Sequence, residues 1–219
     1  MQNDAHSTLD RATHSQSVYL SLGSNLGDRE ANLRDAAERI KALGLEIARA
    51  SSIYETEPVG YKDQPWFLNQ VIEVRVDFEV IVGDGEKAEL INDAYNEGDL
   101  ELALSLWVYE LHQTLQGIER EMGRRRTIPS GPRVIDIDVL LCGKMEGFWA
   151  ESRGNNLAEA GPVYLTLPHP RMHKRRFVLV PLCEIAPDLV HPTLKKTCRD
   201  MLDDVGDPSA VTRYEKGAG

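Results

Sequence analysis

One mixed α/β domain is the fold class this sequence predicts, on three observations. Two runs rich in β-branched and apolar residues, at 18–22 and 134–141, have the pattern of strands. Between them lie two stretches with apolar residues at three- and four-residue spacing, the mark of amphipathic helices. At 219 residues, with 42% hydrophobic and 27% charged, the chain is long enough to bury one core and has ordinary soluble-globular composition.

The elements follow in order. Residues 1–17 are polar and lack the apolar core of a signal peptide, so they are expected as a disordered tail. The strand at 18–22 runs into Gly23-Ser24-Asn25-Leu26-Gly27-Asp28, a turn whose last residue can cap a helix. That helix carries Leu33, Ala36, Ala37, Ile40 and Leu43 on one face and stops at Gly44. The turn is glycine-rich but matches neither G-x-x-x-x-G-K-[ST] nor G-x-G-x-x-G, so a phosphate loop is excluded. Strands at about 45–55 and 67–80 flank a loop at 56–66, too long for a simple hairpin. Its aromatic and hydrogen-bonding side chains suit a flat heterocycle, with Trp66 and Phe67 as strand-start core the competing reading.

Residues 83–101 are acidic and broken by Gly83, Gly85 and Gly98, which predicts a short helix and linkers. A longer helix begins near Asp99, shows a core stripe of Trp107, Leu111, Leu115, Ile118 and Met122, and ends at Gly123. Residues 143–161 have no sustained periodicity and are expected as a long loop. Further on, His169 stands between Pro168 and Pro170, followed by Arg171, His173, Lys174, Arg175 and Arg176, either an anion site or a solvated helix start. Residues 178–182 and Ile185 continue an apolar face, and 206–219 is expected as a flexible tail.

The net charge of −10 argues against a nucleic-acid or membrane-surface binder, so the arginines at 124–126 are a local anion site rather than part of a basic face. Cys142, Cys183 and Cys198 have no C-x-x-C spacing and are expected as reduced core thiols. Together with the absence of a signal or spanning segment, this predicts a cytoplasmic protein.

The chemistry concentrates in Gly123-Arg124-Arg125-Arg126 and Gly131-Pro132-Arg133-Val134-Ile135-Asp136-Ile137-Asp138. The strand period of two puts Asp136 and Asp138 on one face, with Ile137 on the other. Two carboxylates roughly 6–7 Å apart repel by about 2–3 kcal/mol at an effective dielectric of 20, so a cation should stand between them. Magnesium takes carboxylate oxygens together with substrate phosphates, and arginine binds phosphate in a bidentate fork. A solvated face in which the acids simply pair with the arginines is the plain alternative.

Taken together, Leu22-Gly23-Ser24-Asn25-Leu26-Gly27, Tyr54-Glu55-Thr56 through Asp63-Gln64-Pro65-Trp66-Phe67-Leu68-Asn69, the two arginine and aspartate stretches, and Leu167-Pro168-His169-Pro170 with Arg175 and Phe177 resemble the 6-hydroxymethyl-7,8-dihydropterin pyrophosphokinases. The resemblance runs from Val18 to Pro192. It implies a ferredoxin-like antiparallel sheet with helices on both faces, in one domain at 18–205 with insertions near 77–105 and 143–161. It also implies transfer of pyrophosphate from ATP to the pterin hydroxymethyl group in folate synthesis, by a monomer that uses two magnesium ions. Asp136 and Asp138 would hold the metals, and Arg124 and Arg133 would clamp the phosphates. Gln116, Arg126, Ile137, Thr166, His169 and Arg175 would contact ATP. Thr56, Pro58, Val59, Phe67, Asn69 and Phe177 would hold the pterin. Ser130 and Tyr164 depart from the family pattern, so their contacts are not carried over. A nucleotide- or RNA-binding module of the same fold, and a different two-metal phosphotransferase, are the competing functions.

Overall fold

The computed structural model describes residues 15–77, 86–125, 128–151 and 163–216. Strand β1 (Ser15–Ser24) is an interior strand of the sheet and sorts its side chains by parity: Val18, Leu20 and Leu22 enter one core layer, and Tyr19 enters the other. It pairs antiparallel with β4 (Phe67–Asp77) on one side and β5 (Asp136–Cys142) on the other. Strands β2 (Glu46–Ala50) and β3 (Tyr54–Thr56) both pair with β4, and β8 (Val211–Arg213) pairs with β3. The resulting order, β5-β1-β4-β3-β8, with helices between β1 and β2 and between β4 and β5, is ferredoxin-like.

On the first face, α1 (Arg29–Ala42) buries Leu33, Ala36 and Ile40, and α3 (Leu100–Glu121) buries Trp107, Leu111, Leu115 and Ile118. Each leucine or isoleucine withdrawn from water contributes about 1.5–3 kcal/mol. The short helix α2 (Glu86–Asn96) adds Ile91 and Ala94 to this layer. Asp28 and Asp99 cap α1 and α3, accepting from the Ala31 and Leu102 amides at 3.0 Å each. On the second face, Tyr19, Val71, Leu140 and Leu141 meet Val178, Leu179 and Leu182 of α4 (Arg176–Ile185), with Cys198 and Met201 of α5 (Cys198–Asp204). Cys142 and Cys198 are buried, Cys183 is half-buried, and none is in a disulfide. Among the described residues, no helix is long and apolar enough to cross a membrane.

Several sequence expectations are corrected. The strand expected at 45–55 is two strands, because Ser51 interrupts the ladder: its hydroxyl, rather than a carbonyl, accepts the Val71 amide at 3.0 Å. The loop expected at 143–161 contains strand β6 (Gly147–Glu151), which pairs with β7 (Val163–Leu167) in a separate sheet; the pairing partner, rather than the periodicity of five residues, makes it a strand. The expected C-terminal tail contains β8, which docks on the β3 edge. Strand β1 begins at Ser15, inside the expected N-terminal tail, the rest of which lies outside the described residues. So do 78–80 of the third expected strand and 152–161 of the expected loop.

Candidate active site

The register carries one row of side chains across the second face of the sheet, toward the start of α4. Thr56 stands opposite Phe67, Asn69 opposite Gly23, Gly23 opposite Asp136, and Ser21 opposite Asp138. Directly opposed residues in an antiparallel pair share a face, so β3, β4, β1 and β5 present these groups to one space. That space is a cavity of about 750 Å³. Thr56, Val59, Phe67, Asn69, Arg124, Arg133, Asp136, Asp138, His169, Arg175 and Phe177, all singled out in the sequence, line it.

At the β3–β4 end the wall is organic. Asn69 is buried and its amide donates to Thr56 Oγ1 at 2.7 Å. Gly23 gives this amide its room, since a Cβ there would stand 2.6 Å from Asn69 Oδ1. Two aromatic rings flank the opening, with the Arg133 guanidinium 5.3 Å from the Phe67 centroid and that of Arg175 5.4 Å from Phe177. Stacked cations of this kind gain about 0.5–1 kcal/mol, little enough for a flat ligand to replace.

At the β5 end the wall is charged. Arg124 Nη2 reaches Asp136 Oδ1 at 2.6 Å and Arg133 Nη1 reaches Oδ2 at 2.6 Å, so each oxygen of this carboxylate holds one guanidinium. Burial and the Asp138 charge push the Asp136 carboxyl above its usual range, against the pull of the arginines. Asp138 is more open, with Arg175 and His169 each 3.9 Å away. Burial, then the Arg175 and Arg171 charges, lower His169 to about 4, so the imidazole is neutral at pH 7.

Among the described residues no three His, Cys, Asp or Glu side chains converge on a point that could hold a metal. A bare pair of strand carboxylates nonetheless fits magnesium, which keeps waters and completes its shell with phosphate oxygens rather than with a protein cage.

The two loops that edge the cavity are tied by the turn after β1. Buried Asn25 accepts the Arg133 amide at 2.8 Å and donates to Gln64 Oε1 at 2.9 Å and to the Pro65 carbonyl at 3.0 Å. Gln64 in turn donates to the Ser130 carbonyl at 2.9 Å.

Other expected contacts lie elsewhere. Pro58 is buried in its loop, outside the cavity wall. The Ile137 side chain belongs to the first core layer, and its amide donates to Glu119 at 2.6 Å. Gln116 hydrogen-bonds His112 at 2.9 Å, and Thr166 sits on β7 opposite Phe148; neither lines the cavity. Arg126 lies outside the described residues. Of the two departures, Ser130 lines the cavity and Tyr164 pairs with Ala150.

Sequence reasoning missed Glu119, the buried acid that holds both Arg124 and the Ile137 amide. Its signal was its position: four residues after Leu115 and three before Met122, an acid lies along the apolar stripe. Arg171 and Lys174 also line the cavity.

A ferredoxin-like domain whose cleft sets paired carboxylates and arginines beside two aromatic rings defines a class, the phosphate-transferring α/β enzymes. The family model described as 7,8-dihydro-6-hydroxymethylpterin-pyrophosphokinase matches residues 19–84 and 86–187, and the chain belongs to this family. It is 39% identical over 199 residues to the 2-amino-4-hydroxy-6-hydroxymethyldihydropteridine pyrophosphokinase of Methylorubrum extorquens, covering 90% of this chain and 98% of that one. The enzyme of the same name from Bacillus subtilis is 37% identical over 169 residues, 77% of each chain. Longer relatives are matched in part: the chain is 34% identical to the folic acid synthesis protein fol1 of Pneumocystis carinii and spans 19% of its length. A Plasmodium falciparum HPPK-DHPS chain solved with pterin and p-hydroxybenzoate superposes with a TM-score of 0.55 at 15% identity, over 86% of this chain and 41% of that one, a likeness of fold.

Proposed function

We propose that this chain transfers pyrophosphate from ATP to the hydroxymethyl group of 6-hydroxymethyl-7,8-dihydropterin, giving AMP and the pterin diphosphate, in folate biosynthesis. The observation that carries the proposal is the single row of side chains that sets Thr56, Phe67 and Asn69 beside Asp136 and Asp138, in one cavity with Phe177 and the arginines. A flat pterin stacks between Phe67 and Phe177, and the Asn69 amide and Thr56 hydroxyl pair with its polar edge. Val59 closes the loop side, with Pro58 buried behind it in the loop.

Arg124 and Arg133 clamp the phosphates, joined by Arg126 and Arg175. By the family resemblance Gln116, Ile137 and Thr166 would take the nucleoside end, although none of the three lines this cavity, and neutral His169 offers a hydrogen bond there without adding charge. The pterin hydroxyl attacks the β-phosphorus, and the bond to the α-phosphate oxygen breaks to release AMP. Two magnesium ions on Asp136 and Asp138 would neutralise phosphate charge and lower the pKa of the attacking hydroxyl. As the nucleotide binds, the guanidinium groups held on Asp136 move to the phosphates, and closure of the tied loops excludes water. The working unit is a cytoplasmic monomer that acts on these two small molecules without nucleic acid or membrane.

The test is AMP release from magnesium and ATP, with and without 6-hydroxymethyl-7,8-dihydropterin, beside Asp136→Ala. Pterin-dependent AMP that disappears in the variant supports the proposal; a folded protein whose AMP formation ignores the pterin overturns it. Arg133→Ala should lower kcat by about 100-fold or more while ATP affinity changes only a few-fold, since its charge acts on the transition state.

A further inference from the structure

Glu119 is placed where a carboxylate is costly. It is 4% exposed, on a position of the apolar stripe, in the last turn of α3 where the helix carbonyls present their negative end. Asp136 and Asp138 add repulsion from β5, and burial lifts its pKa to about 7. An aliphatic side chain would continue the core here. The compensation is local: Glu119 Oε1 takes both Arg124 Nη1 and the Ile137 amide, the latter at 2.6 Å. The other amino group of the same guanidinium, Nη2, lies 2.6 Å from Asp136. Arg124 is thus shared by two carboxylates of which only one, Asp136, faces the cavity.

We infer that Glu119 is a positioning residue for the transfer. When the metal–nucleotide claims Asp136, Glu119 keeps Nη1 of Arg124 and leaves Nη2 directed at the phosphates. Through the Ile137 amide it also holds the piece of strand between the two metal-binding carboxylates. A planar guanidinium gripped at one amino group keeps its plane, so the released end points rather than swings. The inference rests on the cleft binding a metal–nucleotide, as proposed above.

The experiment compares wild type, Glu119→Gln, Arg124→Ala and the double variant. It reads the affinity for magnesium with a non-hydrolysable ATP analogue by titration calorimetry, and kcat and KM by AMP release. Glutamine can still accept the Ile137 amide and a guanidinium N–H through its one carbonyl oxygen, but it lacks the charge that makes the Arg124 contact an ion pair. Glu119→Gln should weaken nucleotide binding about 10-fold and lower kcat at least as much, with the KM for the pterin unchanged. In the Arg124→Ala background the same change should cost less than about 3-fold, because the two residues act as one unit. Glu119→Asp, which keeps the charge, should recover part of the loss.

Equal losses in both backgrounds, or a Glu119→Gln enzyme within about twofold of wild type, would overturn the inference. If wild type binds the nucleotide but releases no pterin-dependent AMP, the pyrophosphokinase proposal fails instead, while the calorimetry still decides Glu119.

Discussion

At Gly23 the missing side chain is part of the cavity wall. Its neighbour across the ladder, Asn69, sits so close that an added Cβ would lie 2.6 Å from Oδ1, and the Asn69–Thr56 bond leaves little room to retreat. Gly23→Ala should therefore weaken pterin binding about 10-fold or more while nucleotide affinity stays within about twofold, as read by pterin fluorescence and calorimetry, since a buried polar match would be lost. Glu119 makes a prediction about stability. Its pKa is about 7 in the fold against an ordinary 4.5, from burial first, with Asp136 and Asp138 adding and Arg124 and the Ile137 amide opposing. The folded state binds that proton more tightly than the unfolded chain does, so the contribution is complete below about pH 4.5 and is lost as pH rises through about 7. The full span is worth about 3 kcal/mol. The stability of Glu119→Gln relative to wild type should accordingly rise between pH 5 and about 7.5 and then level off, as measured by urea unfolding. A flat difference would remove this account of the buried acid.

At the scale of elements, the site depends on how two loops are held. Asn25 is 2% exposed and spends its whole amide on them, so Asn25→Ala strips three hydrogen bonds and leaves the Arg133 amide without its partner. A cost of about 2–4 kcal/mol follows, seen as a melting temperature lower by about 5–10 °C. The kcat should fall with it, as Arg133 rides on the loosened loop. The motif around Asn25 was legible in the sequence, but its role was not, because its partners lie 39, 40 and 108 positions away. Strand β5 shows the same division. Alternation was enough to put Asp136 and Asp138 on one face. It could not show that the ladder slips between Tyr19 and Leu20, which makes Leu140 an extra residue and lets Leu140 and Leu141 both enter the second core layer. Ser51 likewise splits a run that reads as one strand, since its hydroxyl replaces a carbonyl in the pairing.

At the scale of the whole molecule, the segment that carried least information in the sequence buttresses the β3–β4 end of the cavity. The Ala210 carbonyl accepts the Glu57 amide at 3.0 Å, the Tyr214 amide donates to the Ile53 carbonyl at 2.8 Å, and Tyr214 packs on the first core layer. Deleting residues 208–219 should lower the melting temperature by several degrees and raise the KM for the pterin more than that for ATP, because Glu57 leads directly into Pro58 and Val59. An unchanged KM ratio would separate β8 from the site. What the sequence by itself determined is the local chemistry: which strand face holds the paired carboxylates, where α1 and α3 start and stop, and which motif set places the chain in its family. These follow from periodicity, caps and residue type, which act over a few positions. Only the tertiary structure decided that Gly23 yields to Asn69, that Asn25 ties two loops, that the C-terminal strand supports the loop entering Pro58 and Val59, and that a stripe position on α3 holds the acid gripping Arg124. Each of those depends on which distant groups end up within about 3 Å of one another, and hydrogen bonds and burial act at that range without regard to separation along the chain.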